Sequence, residues 1–193
     1  MHLGRSNAKA TYSLGGSILK SSHTEKDLGI RVDSDMKFTE QCNAAIRSAN
    51  SVLGLIKRTI KNKTKNIIVR LYKGLVRPKL EYCVQAWNPY LQGNIRNLER
   101  IQRPATKMIE EFNGMSYMDR LHAIGLTSLK DRLDRGDMIE VFKIIKQFDR
   151  VDQGTFFKLE ESRKTRGHMY KLEKNRSRLD IRKHFFSQRV VNG

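Results

Sequence analysis

The residues best equipped for chemistry in this chain are its cations. From Arg47 to Lys79 ten lysines and arginines occur without a single aspartate or glutamate. Such a run neutralises phosphates and releases their counterions, which gives salt-dependent affinity that tolerates any base sequence. The other reactive side chains do not group. Cys42 and Cys83 stand far apart with no CxxC partner, so neither a disulfide framework nor a thiolate zinc site is encoded. His2, His23, His122, His168 and His184 are scattered and read as structural histidines. Asn62-Lys63-Thr64 and Asn175-Arg176-Ser177 fit the glycosylation pattern, which has no meaning without secretion, and Arg135-Gly136-Asp137 spells an adhesion tripeptide inside a predicted helix.

The cations need elements to position them, and apolar spacing supplies these. Thr11–Leu14, the Gly15-Gly16 turn and Ser17–Leu19 read as a hairpin, with a further strand at Leu28–Val32. A hairpin alone is marginal in water, so these strands are expected to pair with something else. From Met36 to Lys61 a helical stripe carries Phe38, Cys42, Ala45, Ile46, Ala49, Val52, Leu53, Ile56 and Ile60. Its opposite side collects Arg47, Asn50, Ser51, Gly54, Arg58 and Lys61, and Lys63 and Lys65 continue the charge. A second helix starts after Thr64 and carries Ile67, Ile68, Leu71, Tyr72, Leu75 and Val76. Pro78 should kink or break it before Leu80, Cys83, Val84 and Trp87 resume the stripe.

Further helices are predicted over Gly93–Phe112, Tyr117–Ala123 and Ser128–Phe148. Pro104 falls in the middle of the first, where it costs roughly 3 kcal/mol or more. Both cysteines, Tyr82 and Trp87 are expected in the core; the two aromatic rings could also stack on bases. Beyond Arg150 the periodicity weakens. Lys158–Arg189 holds eleven basic and four acidic residues, with apolar side chains scattered apart from Phe156-Phe157 and Phe185-Phe186, and reads as a basic, partly ordered extension.

A chain of 193 residues can bury a real core, roughly 70% of its unfolded surface. Its net charge of +18 disfavours compaction unless an anionic partner relieves the repulsion, and nucleic acid is the leading candidate. No apolar run of about 20 residues and no signal segment is present. The chain therefore reads as intracellular, nuclear or cytoplasmic, with no membrane partner and no small-molecule substrate.

Several blocks taken in order resemble one family: HLGRSN at the start, EKDLGIRVD at Glu25–Asp33, LYKGLVRPKLEYCVQAWNPY at Leu71–Tyr90, LERIQRPATKMI at Leu98–Ile109, YMDRLHAIGLTSLKDR at Tyr117–Arg132, RGDMIEVFKI at Arg135–Ile144 and TRGHMYKL at Thr165–Leu172. Together they are similar to the reverse transcriptase of LINE-type, jockey-like non-LTR retrotransposons, in the part just after its catalytic palm.

The resemblance implies a mainly α fold, a helical thumb-like bundle preceded by a short β-hairpin or edge-strand element from the palm. Residues 1–34 would end the palm, with His2, Leu3 and Gly4 at a primer-grip-like position. Residues 35–150 would form the thumb and 151–193 the basic extension. The family's palm binds two metal ions through aspartates, including a YxDD-type pair. No Asp-Asp pair occurs in this sequence, so no cofactor is expected for this segment itself, whereas magnesium is expected for the parent polymerase. Fingers and catalytic palm should precede Met1, and the expected partners are an RNA template, a DNA primer and those missing parts. Arg47, Gly54, Arg58, Lys61, Lys63 and Lys65 are the candidate duplex contacts, Gly54 letting the backbone approach closely.

Two departures stand out. Pro104 replaces a second basic residue after Gln102-Arg103, and the chain ends at Gly193 where the family continues into a Trp-Asn segment. They imply a decayed or truncated copy. The alternatives are a stand-alone basic nucleic-acid-binding helical domain, or a structural or interaction protein or an unfolded, decayed relic, in which charge merely keeps the chain soluble.

Overall fold

The structure is a computed structural model and describes residues 1–4, 7–160 and 170–192. His168, Gly193, Arg5, Ser6 and most of the Thr165–Leu172 block lie outside the described residues. The chain is mainly helical with small antiparallel hairpins at its start, and it forms two compact units: residues 1–83 with 89–128, and residues 84–88 with 129 onward.

In the first unit, strands β1 (Ser13–Leu14) and β2 (Ser17–Ile18) pair around Gly15-Gly16, and β3 (Thr24–Asp27) pairs with β4 (Ile30–Asp33) around Leu28-Gly29. Each turn has two residues at positive φ, the mirror-image turn geometry whose twist suits a tight hairpin. Leu28 is thus a turn residue, not the start of a strand. Among the described residues each hairpin is a two-stranded sheet of its own. What steadies β4 is a helix. β4 packs on α1 (Thr39–Thr59), Ile30 and Asp33 are buried, and the Arg31 N–H donates to Gln41 Oε1 at 2.9 Å.

Helix α1 has no side-chain cap of its own, because Phe38 at that position carries no acceptor atom. The strand supplies one: an Asp33 carboxylate oxygen accepts from the Glu40 N–H at 3.3 Å. Burial holds that carboxyl above the usual range. The buried stripe of α1 is Gln41, Cys42, Ala45, Ala49, Leu53 and Ile56, and it packs on β4, on α5 (Gln92–Lys107) and on the segment spanning residues 72–81.

That segment continues α2 (Lys65–Leu71) through a π-helical turn at Tyr72–Val76 into α3 (Arg77–Glu81). Pro78 does not break the helix. The widened turn, in which the Arg77 N–H reaches back to the Tyr72 carbonyl, accommodates it. Buried Ile68, Tyr72, Val76 and Leu80 recur every four residues, a spacing that drifts about 40° per step on a regular α-helix. The π turn lessens the drift and keeps them on one face. The break comes later, at Cys83 with φ +50. Cys83 and Tyr82 are consequently exposed, which corrects their expected core placement, whereas Cys42 and Trp87 are buried.

Helix α5 runs through Pro104 and is followed by a 3-10 turn at Glu110–Phe112 and by α6 (Tyr117–Ala123), capped by Ser116. A polar network crosses this core. Tyr72 donates to Gln102 Oε1 at 2.7 Å, Gln102 Nε2 donates to the Thr127 carbonyl at 2.9 Å and to Tyr117 Oη at 3.1 Å, and Tyr117 donates to Glu99.

The second unit holds α4 (Val84–Trp87), α7 (Leu129–Ile145), α8 (Gln153–Phe156), α9 (Asp180–Lys183) and α10 (Phe186–Asn192). Three of the four phenylalanines that the sequence pairs meet here, while Phe185 stays exposed. Phe157 and Phe186 pack edge to face at 5.8 Å on Val141 and Ile144, and Phe156 joins them. Among the described residues no helix is long and apolar enough to cross a membrane.

Candidate nucleic-acid interface

Burial of one α1 stripe forces the remaining residues outward. Arg47, Asn50, Ser51, Lys57 and Arg58 are exposed, and Gly54 is half-buried among them. Lys57 and Arg58 also sit in the last turn, where the helix macrodipole favours positive charge. Neither Arg47, Lys57 nor Arg58 has an ion-pair partner among the described residues. Their charge therefore faces solvent uncompensated.

At Gly54 the Arg58 guanidinium Nη1 lies 3.5 Å from the place a Cβ would occupy, so Arg58 lies across the glycine. Alanine fits there in ordinary contact. Lys61 is exposed in the loop that follows, and Lys63 and Lys65 are half-buried. This loop is tied down by residues far off in sequence: the Glu110 N–H donates to the Lys63 carbonyl at 3.3 Å, and the Lys65 N–H donates to Glu111 Oε1 at 3.2 Å. Glu111 thereby satisfies an orphan donor at the start of α2 and brings a carboxylate to the edge of the basic surface.

His2, Leu3 and Gly4 lie elsewhere. Gly4 at φ +79 donates its N–H to the Ser34 carbonyl at 3.0 Å, which places these residues beside the N-terminal end of α1. The His2 ring lies 6.0 Å from that of Tyr12. Arg58 and Lys61 stand at the other end of a 21-residue helix, about 30 Å away along its axis. The first unit thus gathers Arg47, Gly54 and Arg58 on one helix face, with Lys61, Lys63 and Lys65 trailing from its end, and keeps His2–Gly4 apart.

The periodicity did not single out a second basic feature of the same unit. A groove of about 540 Å³ is lined by Lys26 and Arg31 from the β3–β4 hairpin, by Gln41 and Ser48 from α1, and by Lys79 and Tyr82. Lys26 and Arg31 are direct partners in the ladder. The signal was their register across the Leu28-Gly29 turn.

Among the described residues no group of three or more His, Cys, Asp or Glu could hold a metal ion. The described residues therefore offer no ligand set that suits the magnesium of a polymerase. Comparisons with models of protein families, with curated proteins and with solved structures find no match to this chain.

Proposed function

We propose that this chain is the duplex-holding, thumb-like part of a non-LTR retrotransposon reverse transcriptase, binding RNA template and DNA primer through the outer face of α1 and the loop after it. The observation that carries the proposal is that face: Arg47, Lys57, Arg58 and Lys61 exposed and without an ion pair among the described residues, in a stretch with no acidic residue from Arg47 to Lys79. A polymerase needs a grip indifferent to sequence, and phosphate neutralisation provides one. The ordered blocks from Leu71 to Ile144 support the family. Catalysis belongs, in this proposal, to the palm and fingers of the parent enzyme and to its magnesium.

The test is binding of an RNA–DNA primer–template duplex to the purified chain across a salt series. Affinity should fall steeply from low to moderate salt, and the triple variant R47E/R58E/K61E should bind at least about tenfold more weakly. Salt-insensitive binding, or a triple variant with unchanged affinity, overturns the proposal.

A further inference from the structure

We propose that the groove between the β3–β4 hairpin, α1 and α3 is a separate site for single-stranded nucleic acid, with phosphates on Lys26, Arg31 and Lys79 and a base stacked on Tyr82. Three observations converge on it. First, Lys26 and Arg31 oppose each other across the antiparallel ladder and both line the groove. Like charges placed directly opposite destabilise a hairpin, and an anion between them removes the repulsion. Second, the lining also includes Lys79 but no carboxylate, and Lys26, Arg31 and Lys79 are exposed and without an ion pair among the described residues.

Third, Tyr82 is 57% exposed yet held in place. Its hydroxyl donates to the Leu28 carbonyl at 3.0 Å, and its ring edge lies 3.4 Å from where a side chain on Gly29 would begin. Gly29, at φ +89, both makes the turn and leaves room for the ring. A ring fixed in advance loses little freedom when a base stacks on it. The groove's volume suits a nucleotide unit. A single strand fits better than a duplex, because paired bases are already stacked on one another and offer Tyr82 no free face.

The site draws on a different face of α1 from Arg47 and Arg58, so it stands or falls apart from the duplex surface. The experiment measures fluorescence anisotropy of the full chain with a labelled oligothymidine and with an abasic strand of equal length, which keeps the phosphates and lacks the bases. Tyr82→Ala should weaken oligothymidine binding about tenfold while leaving the abasic strand unchanged, and Tyr82→Phe should retain most of the affinity. The reversal K26E/R31E/K79E should weaken both strands at least about tenfold. Should that variant melt differently from the parent, the neutral pair Lys26→Gln with Lys79→Gln must still weaken both. R47E/R58E/K61E should weaken oligothymidine only through the screened field, far less than the groove reversal does. The proposal is overturned if the groove variants leave single-strand affinity within about twofold, if Tyr82→Ala weakens the abasic strand equally, or if groove and α1 reversals affect single strand and duplex alike.

Discussion

Cys42 is fully buried on α1, and desolvation pushes its thiol up to about 12. Cys83 is exposed at the left-handed break after α3. Because the thiolate is the nucleophile, these environments separate the two thiols kinetically. In the folded chain one thiol should react promptly with a disulfide reagent and the other only on denaturation, with Cys83→Ser abolishing the prompt phase. Two prompt thiols would place Cys42 outside the core. Sequence spacing could not tell these cysteines apart, since both fall on an apolar stripe. The distinction comes from the backbone reversal at Cys83, which removes it and Tyr82 from the stripe just before Val84 and Trp87 are buried. Gln102 was illegible for the opposite reason. A buried glutamine lies against expectation unless every polar atom is served, and its partners Tyr72, Tyr117 and Thr127 are distant in sequence.

At the level of elements, the amphipathic helices were legible because period and length agree: α6 matches its expected span, α1 and α7 are shorter by at most three residues at either end, and α5 starts one residue early and stops at Lys107, before the 3-10 turn at Glu110–Phe112. The prolines were harder, because their effect depends on what surrounds them. Pro104 is exposed and three residues before the end of α5, where its ring removes a single backbone hydrogen bond. Replacing it with alanine restores that donor, partly offset by greater freedom of the unfolded chain. Pro104→Ala should therefore stabilise by about 1–2 kcal/mol, read as a higher melting temperature by circular dichroism. An unchanged or lowered melt would mean that the helix had already adapted to the ring.

In the second unit α10 is held to α7 by Arg189, whose guanidinium donates to both oxygens of buried Asp137 at 2.8 and 2.9 Å and to the Gln85 carbonyl at 2.8 Å. Asn88 donates to the same carboxylate at 2.6 Å. Asp137 belongs to the Arg-Gly-Asp tripeptide, and its near-complete burial withholds it from any adhesion partner. Removing one partner of a buried pair leaves an uncompensated charge, so Asp137→Ala should cost about 3–5 kcal/mol by urea denaturation, whereas Asp137→Leu combined with Arg189→Met should cost much less. Equal losses would show that the packing of α10, and not the ion pair, sets the stability.

For the whole molecule the governing quantity is a net charge of +18, and it creates an ambiguity that the sequence alone does not resolve. A chain so basic attracts any polyanion through its summed field, whether or not it has an organised surface. What the fold adds is location, because uncompensated arginines share the outer face of α1 while other cations, such as Lys174, Arg176 and Arg178, stand on the second unit. Two triple reversals with the same change in net charge then separate field from surface. If about six phosphates are engaged, the logarithm of duplex affinity should fall with the logarithm of salt at a slope near −5. R47E/R58E/K61E should lower that slope by about 3, one per lost phosphate contact. K174E/R176E/R178E should leave the slope within about 1 of the parent while weakening affinity only through the screened field. Equal changes in slope for the two variants would mean that total charge, and no particular helix face, holds the duplex.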